Sequence, residues 1–311
     1  MSTSAESSSA ELLSISIPTR NRVSYLREVL ASLERQIREL NLAPDTVRIY
    51  VSDNASTDNT PEVIKDFASR LPHLAFVRNP ENIGGDRNFL QCVRLARGRF
   101  CWLVGDDDII NPGALEHVLR ILRTVDPGLM IMLDTNYRAG VKRPRQFASF
   151  RDFVVECARV NPHLLAEHTL ITCNVFRTVV FDQAFSEATL STFYAHVYGL
   201  VNGLIRKGGS VYLSNFPAVT VRARRAPAVD GVWPGLIEKM WLDYFNWLKR
   251  ELKLEEFDPE VVVRHARGVL WRKVKANPFK YVWNNLPALK QPKAYRWFLR
   301  RVMFMLRFRK R

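Results

Sequence analysis

An α/β fold built on a mostly parallel sheet is what this sequence predicts, and three observations predict it. Short apolar, β-rich runs recur through residue 133, each run stops at a polar loop, and the loops lead into segments with helical periodicity. In open sheets of this kind ligands bind beyond the carboxyl ends of the strands, so the polar loops are expected to gather at one edge.

The elements follow in order. Ser14-Ile15-Ser16-Ile17 is a first strand that ends in Pro18-Thr19-Arg20-Asn21-Arg22. Leu26, Val29, Leu30, Leu33, Ile37 and Leu40 then fall on one face, the buried stripe of a first helix. Val47-Arg48-Ile49-Tyr50-Val51 runs into Ser52-Asp53-Asn54-Ala55-Ser56-Thr57-Asp58-Asn59, and Thr60-Pro61-Glu62 reads as a helix start with proline at its first position. Residues 74–77 make a third strand, followed by Asn79-Pro80-Glu81-Asn82-Ile83-Gly84-Gly85-Asp86-Arg87-Asn88. There the paired glycines permit close backbone approach and Arg87 offers a planar fork for phosphate. Residues 100–104 are a fourth apolar strand, ending abruptly in Gly105-Asp106-Asp107-Asp108. Leu115, Val118, Leu119 and Leu122 face a core behind that acidic run, and 129–133 is a further strand. From about 140 to 225 the periodicity loosens, as expected where an acceptor site is built. Strand-like runs return there at 210–213 and 218–221, beside a turn at Gly208-Gly209.

The acidic run is the most informative stretch. Three adjacent carboxylates repel one another, so a positive group should compensate them. At a strand end the usual compensator is a hard divalent cation carrying a phosphate. The alternative is a solvated acidic turn leading into a helix at Asn111-Pro112-Gly113.

Taken together, Ile17-Pro18-Thr19-Arg20-Asn21-Arg22, Val51-Ser52-Asp53-Asn54-Ala55-Ser56-Thr57-Asp58, Asn82-Ile83-Gly84-Gly85-Asp86-Arg87-Asn88 and Gly105-Asp106-Asp107-Asp108 resemble the motifs of the family 2 inverting glycosyltransferases of GT-A fold. Within them the chain is most similar to the abequosyltransferase-like bacterial enzymes that build surface polysaccharides, O-antigen and lipopolysaccharide among them. The resemblance spans roughly residues 12–225. It implies a nucleotide-sugar donor, a divalent metal, Mn2+ or Mg2+, and transfer with inversion. With the composition of the two ends, the expected division is a disordered lead-in (1–11), a glycosyltransferase domain (12–225) and a C-terminal extension (226–311). The domain would comprise a nucleotide-binding half (12–135) and an acceptor half (136–225).

Site residues are expected on the same basis. Asp53, at a strand end, suits acceptance of a hydrogen bond from a base N–H or a ribose hydroxyl; the alternative is a turn-capping aspartate. Arg87 suits the diphosphate, with an ion pair to Asp86 as its alternative, and Gly85 opens the backbone beside it. The resemblance places Pro18, Thr19 and Asn21 around the nucleotide. Counted back from Pro112, the family's Asp-x-Asp would begin at Gly105 and end at Asp107. Glycine at the first place makes Asp107 the expected metal ligand, with Asp106 assisting through metal or ribose and Asp108 behind them or facing the acceptor. Related enzymes commonly carry an acid where this chain has Tyr194-Ala195-His196-Val197-Tyr198. His196 is therefore the expected general base, or else a core histidine, with Glu187 and Asp182 in reserve. His168 is either an acceptor-site or a structural group.

Composition agrees. The 311 residues are enough for one large domain or one with an appendage. Cys92, Cys101, Cys157 and Cys173 have neither metal-ligand nor disulfide-framework spacing and read as reduced thiols of a cytosolic protein. The Ser-rich, acidic start has no signal-peptide pattern, and no run reaches the length of a spanning helix.

Charge divides the chain sharply. Residues 261–311 hold 15 of the 46 Lys and Arg and no acid, which accounts for the whole formal charge of +15. That stretch interleaves its cations with Trp271, Phe279, Tyr281, Trp283, Tyr295, Trp297, Phe298, Phe304 and Phe308. Val262, Ala266, Val269 and Leu270 recur at helical spacing opposite Arg264, Arg272 and Lys275. A basic amphipathic helical tail of this kind suits an anionic membrane surface, with packing on the body as the alternative; nucleic acid is not expected. The expected protein thus transfers a sugar to a glycolipid or lipopolysaccharide acceptor at the cytoplasmic face of the inner membrane, peripherally bound. A sugar nucleotidyltransferase would place a glycine-rich loop after the first strand, and Pro18-Thr19-Arg20-Asn21 has no glycine. A non-catalytic basic adaptor would need no aspartate run at all.

Overall fold

The computed structural model describes residues 11–133, 135, 141–162, 164–190, 192, 194–222 and 234–264. Strand β1 (Leu13–Thr19), helix α1 (Val23–Glu39), β2 (Val47–Asp53), α2 (Thr60–Arg70), β3 (Leu74–Arg78), α3 (Gly85–Leu95) and β4 (Phe100–Leu103) follow one another in strict alternation. Then come β5 (Ile109–Ile110), α4 (Ala114–Thr124), β6 (Leu129–Ile131), β7 (Arg145–Phe147), α5 (Phe150–Val160), α6 (Leu164–Glu167) and β8 (Asn174–Arg177). The chain continues through α7 (Gln183–Ala188), α8 (Ala195–Lys207), β9 (Val211–Leu213), β10 (Val219–Thr220) and α9 (Pro234–Glu251).

Eight strands form one sheet in the order β3-β2-β1-β4-β8-β6-β9-β7, and β5 pairs with β10 in a small second sheet. β1 is parallel to both β2 and β4, β2 to β3, and β6 to β9, whereas β8 and β7 run antiparallel to their neighbours. From β1 the chain winds outward to β2 and β3, then crosses back to place β4 on the other side of β1. That reversal is the position at which such sheets bind ligands.

β1 is buried along its whole length, with Leu13, Ile15 and Ile17 in the main core beside Val47, Ile49 and Val51 of β2. The stripe foreseen on α1 is there: Leu26, Val29, Leu30, Leu33 and Ile37 are buried, and Leu40 packs against the core just past the helix end. Pro18 is tolerated inside this central strand for a geometric reason. Ser16 O accepts from Val104 N on the β4 side, and Pro18, two residues on, turns its proton-less nitrogen the same way, past the last β1–β4 rung at Ser16↔Leu103.

The region that loosens in sequence is well built in structure. α8 is buried almost all round, from Ala195 through Leu204, so it lacks the polar face that makes periodicity visible. Strands β7, β8, β9 and β10 have only two to four residues each, too few to display alternation.

The chain divides into two compact units. The first comprises 1–222 and 247–257; within it Trp247 packs edge-on against Tyr198 and beside Phe185. In the second, Tyr244 and Phe245 are buried with their rings 5.1 Å apart. Of the basic-aromatic extension, 265–311 lies outside the described residues, as do the lead-in and 223–233. No helix among the described residues is long and apolar enough to cross a membrane. All four cysteines are buried and free.

Candidate active site

Sheet register assembles the site. Thr19 is the partner of Asp53 across β1 and β2, and Asp53 is the partner of Arg78 across β2 and β3. On the other side of β1 the ladder ends at Ser16↔Leu103, which carries the next residues of each strand forward together and brings Thr19 beside Asp106. Arg78, Asp53, Thr19 and Asp106 thus form one row along the carboxyl edge of four adjacent strands.

Side-chain contacts lock the row. Thr19 Oγ1 donates to Asp106 Oδ2 at 2.8 Å. Arg22 Nη1 lies 3.0 Å from Asp106 Oδ1 and 2.8 Å from Asp107 Oδ2. The positive group that the acidic run demands is therefore, within the protein itself, Arg22. Burial pushes the Asp106 carboxyl up to about 6; Arg22 opposes this and the neighbouring Asp107 adds to it. Burial also works against the charge on Arg22, yet Asp106 and Asp107 hold its guanidinium above the usual arginine value.

Asp53 is 1% exposed. Its Oδ1 accepts from Ser56 N at 3.0 Å and its Oδ2 lies 3.4 Å from Arg78 Nε. Both the turn-capping role and an aimed second oxygen are therefore present in one residue. Asn21 adopts a left-handed conformation (φ 52°), which asparagine tolerates. It ties the first loop to the second: its N–H donates to Ser56 Oγ at 2.9 Å and its Oδ1 accepts from Thr57 N at 2.7 Å.

Buried amides hold the glycine loop against Asp53. Asn54 Nδ2 donates to Asn82 Oδ1 (2.8 Å) and Asn54 Oδ1 accepts from Ile83 N (2.9 Å), while Asn79 and Ser52 both donate to Asn88 Oδ1. Gly84 takes φ +85°, and the positions a Cβ would occupy on Gly84 and Gly85 face open space. The start of α3 is thus open beside its two glycines, where a helix N-terminus can meet an anion. Arg87, in that turn, is exposed, and among the described residues it makes no ion pair, with Asp86 or any other carboxylate.

Gly105 explains the departure at the acidic run. A Cβ there would meet Asp108 Oδ2 at 3.0 Å, Thr172 Oγ1 at 3.3 Å and Asp107 Oδ1 at 3.4 Å. Glycine is what lets these oxygens converge. Asp108 turns inward: its Oδ2 accepts from Thr172 Oγ1 and its Oδ1 from Arg222 N at 3.2 Å. Thr172 also accepts from Gly105 N (2.8 Å), and its carbonyl accepts from Trp102 Nε1 (2.9 Å). Asp108 thereby braces the acidic loop and carries 220–222 against it; Arg222 itself pairs with Glu28 and stacks over Tyr25.

The remaining candidates separate along α3. His196, at the start of α8, lies edge-on to Phe89, the fifth residue of α3, with centroids 5.1 Å apart. Both its ring nitrogens are sealed from solvent with no hydrogen-bond partner among the described residues. Burial lowers its pKa to about 4, so the ring is neutral at pH 7. Glu187 is instead paired with Arg94, near the opposite end of α3. Asp182 caps α7, accepting from Phe185 N (3.0 Å) and Asn202 Nδ2 (2.8 Å). His168 is packed edge-on against Phe150 and Phe153, with its pKa lowered by burial to about 3.

The structure therefore brings together Thr19, Asn21, Asp53, Asp106 and Asp107. It leaves Glu187 apart and gives Asp108 an internal task. It adds Arg22, Arg78 and Thr172, none of which the sequence motifs singled out. Arg22 carried a signal, an arginine in the loop after β1, but its partners lie 84 and more residues away.

Donor chemistry at the acidic pair fits a divalent metal: two hard carboxylate oxygens, Asp106 Oδ1 and Asp107 Oδ2, already converge on a cationic group. Among the described residues no three carboxylate, imidazole or thiolate groups converge to hold an ion unaided. Mg2+-type sites are completed by substrate phosphates around one or two carboxylates.

Residues 14–149 match the family model "Glycosyl transferase family 2". The abequosyltransferase RfbV of Salmonella typhimurium is 43% identical over 105 residues, 33% of this chain and 30% of that protein. The chain spans about a third of the length of the first curated relatives it matches. Among solved structures, S. aureus TarS 1–349 in complex with UDP-GlcNAc superposes with a TM-score of 0.55 at 16% identity, covering 86% of this chain and 75% of that one. The mannosyltransferase PcManGT from Pyrobaculum calidifontis, in complex with GDP-Man and Mn2+, gives 0.52 at 16% identity, covering 92% and 82%. The sheet is that of the GT-A glycosyltransferases, and residues 14–149 are a family 2 glycosyltransferase domain on it.

Proposed function

We propose that this chain is an inverting glycosyltransferase that moves a sugar from a nucleotide-sugar donor to a bacterial surface-polysaccharide acceptor. One observation carries the reading: the row of Arg78, Asp53, Thr19 and Asp106 at the β1–β4 crossover, continued by Arg22 and Asp107.

Each part of a nucleotide sugar has a counterpart in that row. Asp53, acceptor-only and fixed by Ser56 and Arg78, takes a hydrogen bond from a base N–H or a ribose hydroxyl. The glycine-led start of α3 with Arg87 receives negative charge from the diphosphate. Asp107, with Asp106 beside it, would hold Mn2+ or Mg2+, which would supply positive charge to stabilise the departing nucleoside diphosphate. Pro18 and Asn21 shape the floor of the nucleotide pocket rather than touching the reacting atoms.

His196 is the general base. Its ring nitrogens have no hydrogen-bond partner among the described residues, and a neutral ring is the state that accepts a proton from an acceptor hydroxyl. The basic-aromatic extension holds the enzyme at an anionic membrane where a glycolipid or lipopolysaccharide acceptor lies; each Lys or Arg near such a surface contributes about 1 kcal/mol.

Donor hydrolysis tests the reading. Incubated with UDP-, GDP-, CDP- and dTDP-sugars and Mn2+, the protein is expected to release nucleoside diphosphate slowly from one class, and Asp107→Ala to abolish the release. Release from none of the four, or equal release by Asp107→Ala, contradicts it.

A further inference from the structure

One nitrogen, Arg22 Nη1, serves both Asp106 Oδ1 and Asp107 Oδ2. A cation of the protein's own thus stands where two carboxylates would close on a divalent ion. Its backbone is held in place from both sides. Asn21 is fastened to Ser56 and Thr57, and Val23 N donates to Asp58 Oδ2 at 3.3 Å. The other oxygen of Asp106 is committed to Thr19. With no third metal-ligating side chain converging among the described residues, the protein donors are few and already neutralised.

We infer that Arg22 is an internal counter-cation that excludes divalent metal from the Asp106–Asp107 pair until a nucleotide diphosphate arrives. The inference rests on the donor-site reading above and adds that metal entry is linked to nucleotide through this arginine. Arg22 is a positioning residue in this scheme. While the site is empty it relieves the repulsion of adjacent carboxylates and keeps them aimed. When a diphosphate enters, the guanidinium turns to the phosphate oxygens, for which its planar fork is suited, and its departure leaves both carboxylates to the metal position.

The test uses Mn2+ alone as probe, with the free-ion electron paramagnetic resonance signal as readout and no nucleotide present. Arg22→Gln is expected to bind Mn2+ about tenfold or more tightly than wild type, because a unit positive charge within contact distance of the ion has gone. Arg22→Lys, which keeps the charge, is expected to stay near wild type, and it serves as the folded control should Arg22→Gln melt early. Asp107→Asn added to Arg22→Gln is expected to cancel the gain. Equal Mn2+ affinity in wild type and Arg22→Gln, lost in both on adding Asp107→Asn, overturns the counter-cation inference and leaves the metal assignment standing. No binding by Arg22→Gln at all overturns the counter-cation inference alone, and binding by Arg22→Gln that survives Asp107→Asn overturns both.

Discussion

Thr19 and Asp106, 87 residues apart in the chain, meet through a 2.8 Å hydrogen bond between a hydroxyl and a buried carboxylate. The bond joins the end of β1 to the end of β4 across the crossover of the sheet, and so fixes the acidic pair relative to Asp53. Thr19→Val keeps the shape and removes the donor. It is expected to lower the unfolding free energy by about 1–3 kcal/mol, the cost of leaving a buried acceptor short of a partner. Thr19→Ser is expected to restore most of it; urea denaturation of the three proteins is the check.

Gly105→Ala puts a methyl group within 3.0–3.4 Å of Asp108 Oδ2, Thr172 Oγ1 and Asp107 Oδ1. The loop must shift to admit it, at about 1–3 kcal/mol of stability, and nucleotide binding is expected to weaken with it. Gly105→Asp, which recreates the family's first carboxylate, is expected to bind Mn2+ no better than wild type. A thermal melt and a Mn2+ titration read both effects.

Acid sensitivity follows from the buried histidines. Burial holds His196 and His117 at about 4 and His168 at about 3, all below the ordinary 6.5. Their native forms bind fewer protons than the unfolded chain, so stability is full above pH 6.5 and falls as pH drops toward 4. Asp106, raised to about 6, acts in the opposite sense below that pH, but it is one group against three. The melting temperature is expected to fall between pH 6.5 and 4.5, and less steeply in His196→Phe; a flat profile contradicts the assignment.

Separating His196 from Glu187 needs kinetics. His196→Ala is expected to keep donor affinity while transfer falls about 10²–10⁴-fold, the usual worth of a general base. Glu187→Ala, which breaks an exposed pair with Arg94, is expected to leave turnover within about twofold of wild type. Reversed results would hand the role to Glu187.

The extension carries its own prediction. Full-length protein is expected to co-sediment with vesicles containing anionic lipid and to be released by salt, whereas protein ending at Arg264 stays in solution. Equal, salt-insensitive binding by both would remove the membrane from the account.

Much of the site was legible because its signals are local. A strand that stops at a polar loop marks its own carboxyl end, and this located Asp53, Asp106 and Asp107 without any knowledge of the sheet. Arg22 stands in the first motif, but its role depends on register between β1 and β4, which no local pattern records. Asp108 is expected behind the pair or facing the acceptor, and the choice is made by the approach of Thr172 and Arg222 from distant segments, which turns it inward. Glu187 stays in reserve behind His196 at the level of sequence because sequence distance does not report that Phe89 and Arg94 lie toward opposite ends of one helix. The region after 140 hid its helices for a related reason. α8 is buried on nearly all sides, and a helix without a polar face shows no period.

The central claim is that the acidic pair binds a nucleotide diphosphate together with a metal. The most direct measurement is calorimetric titration with UDP, GDP, CDP and dTDP, each with and without Mn2+, on wild type and Asp107→Ala. The account predicts that one nucleotide binds wild type in a Mn2+-dependent manner and that Asp107→Ala does not bind it. Binding of none, or binding indifferent to both Mn2+ and Asp107, would contradict it.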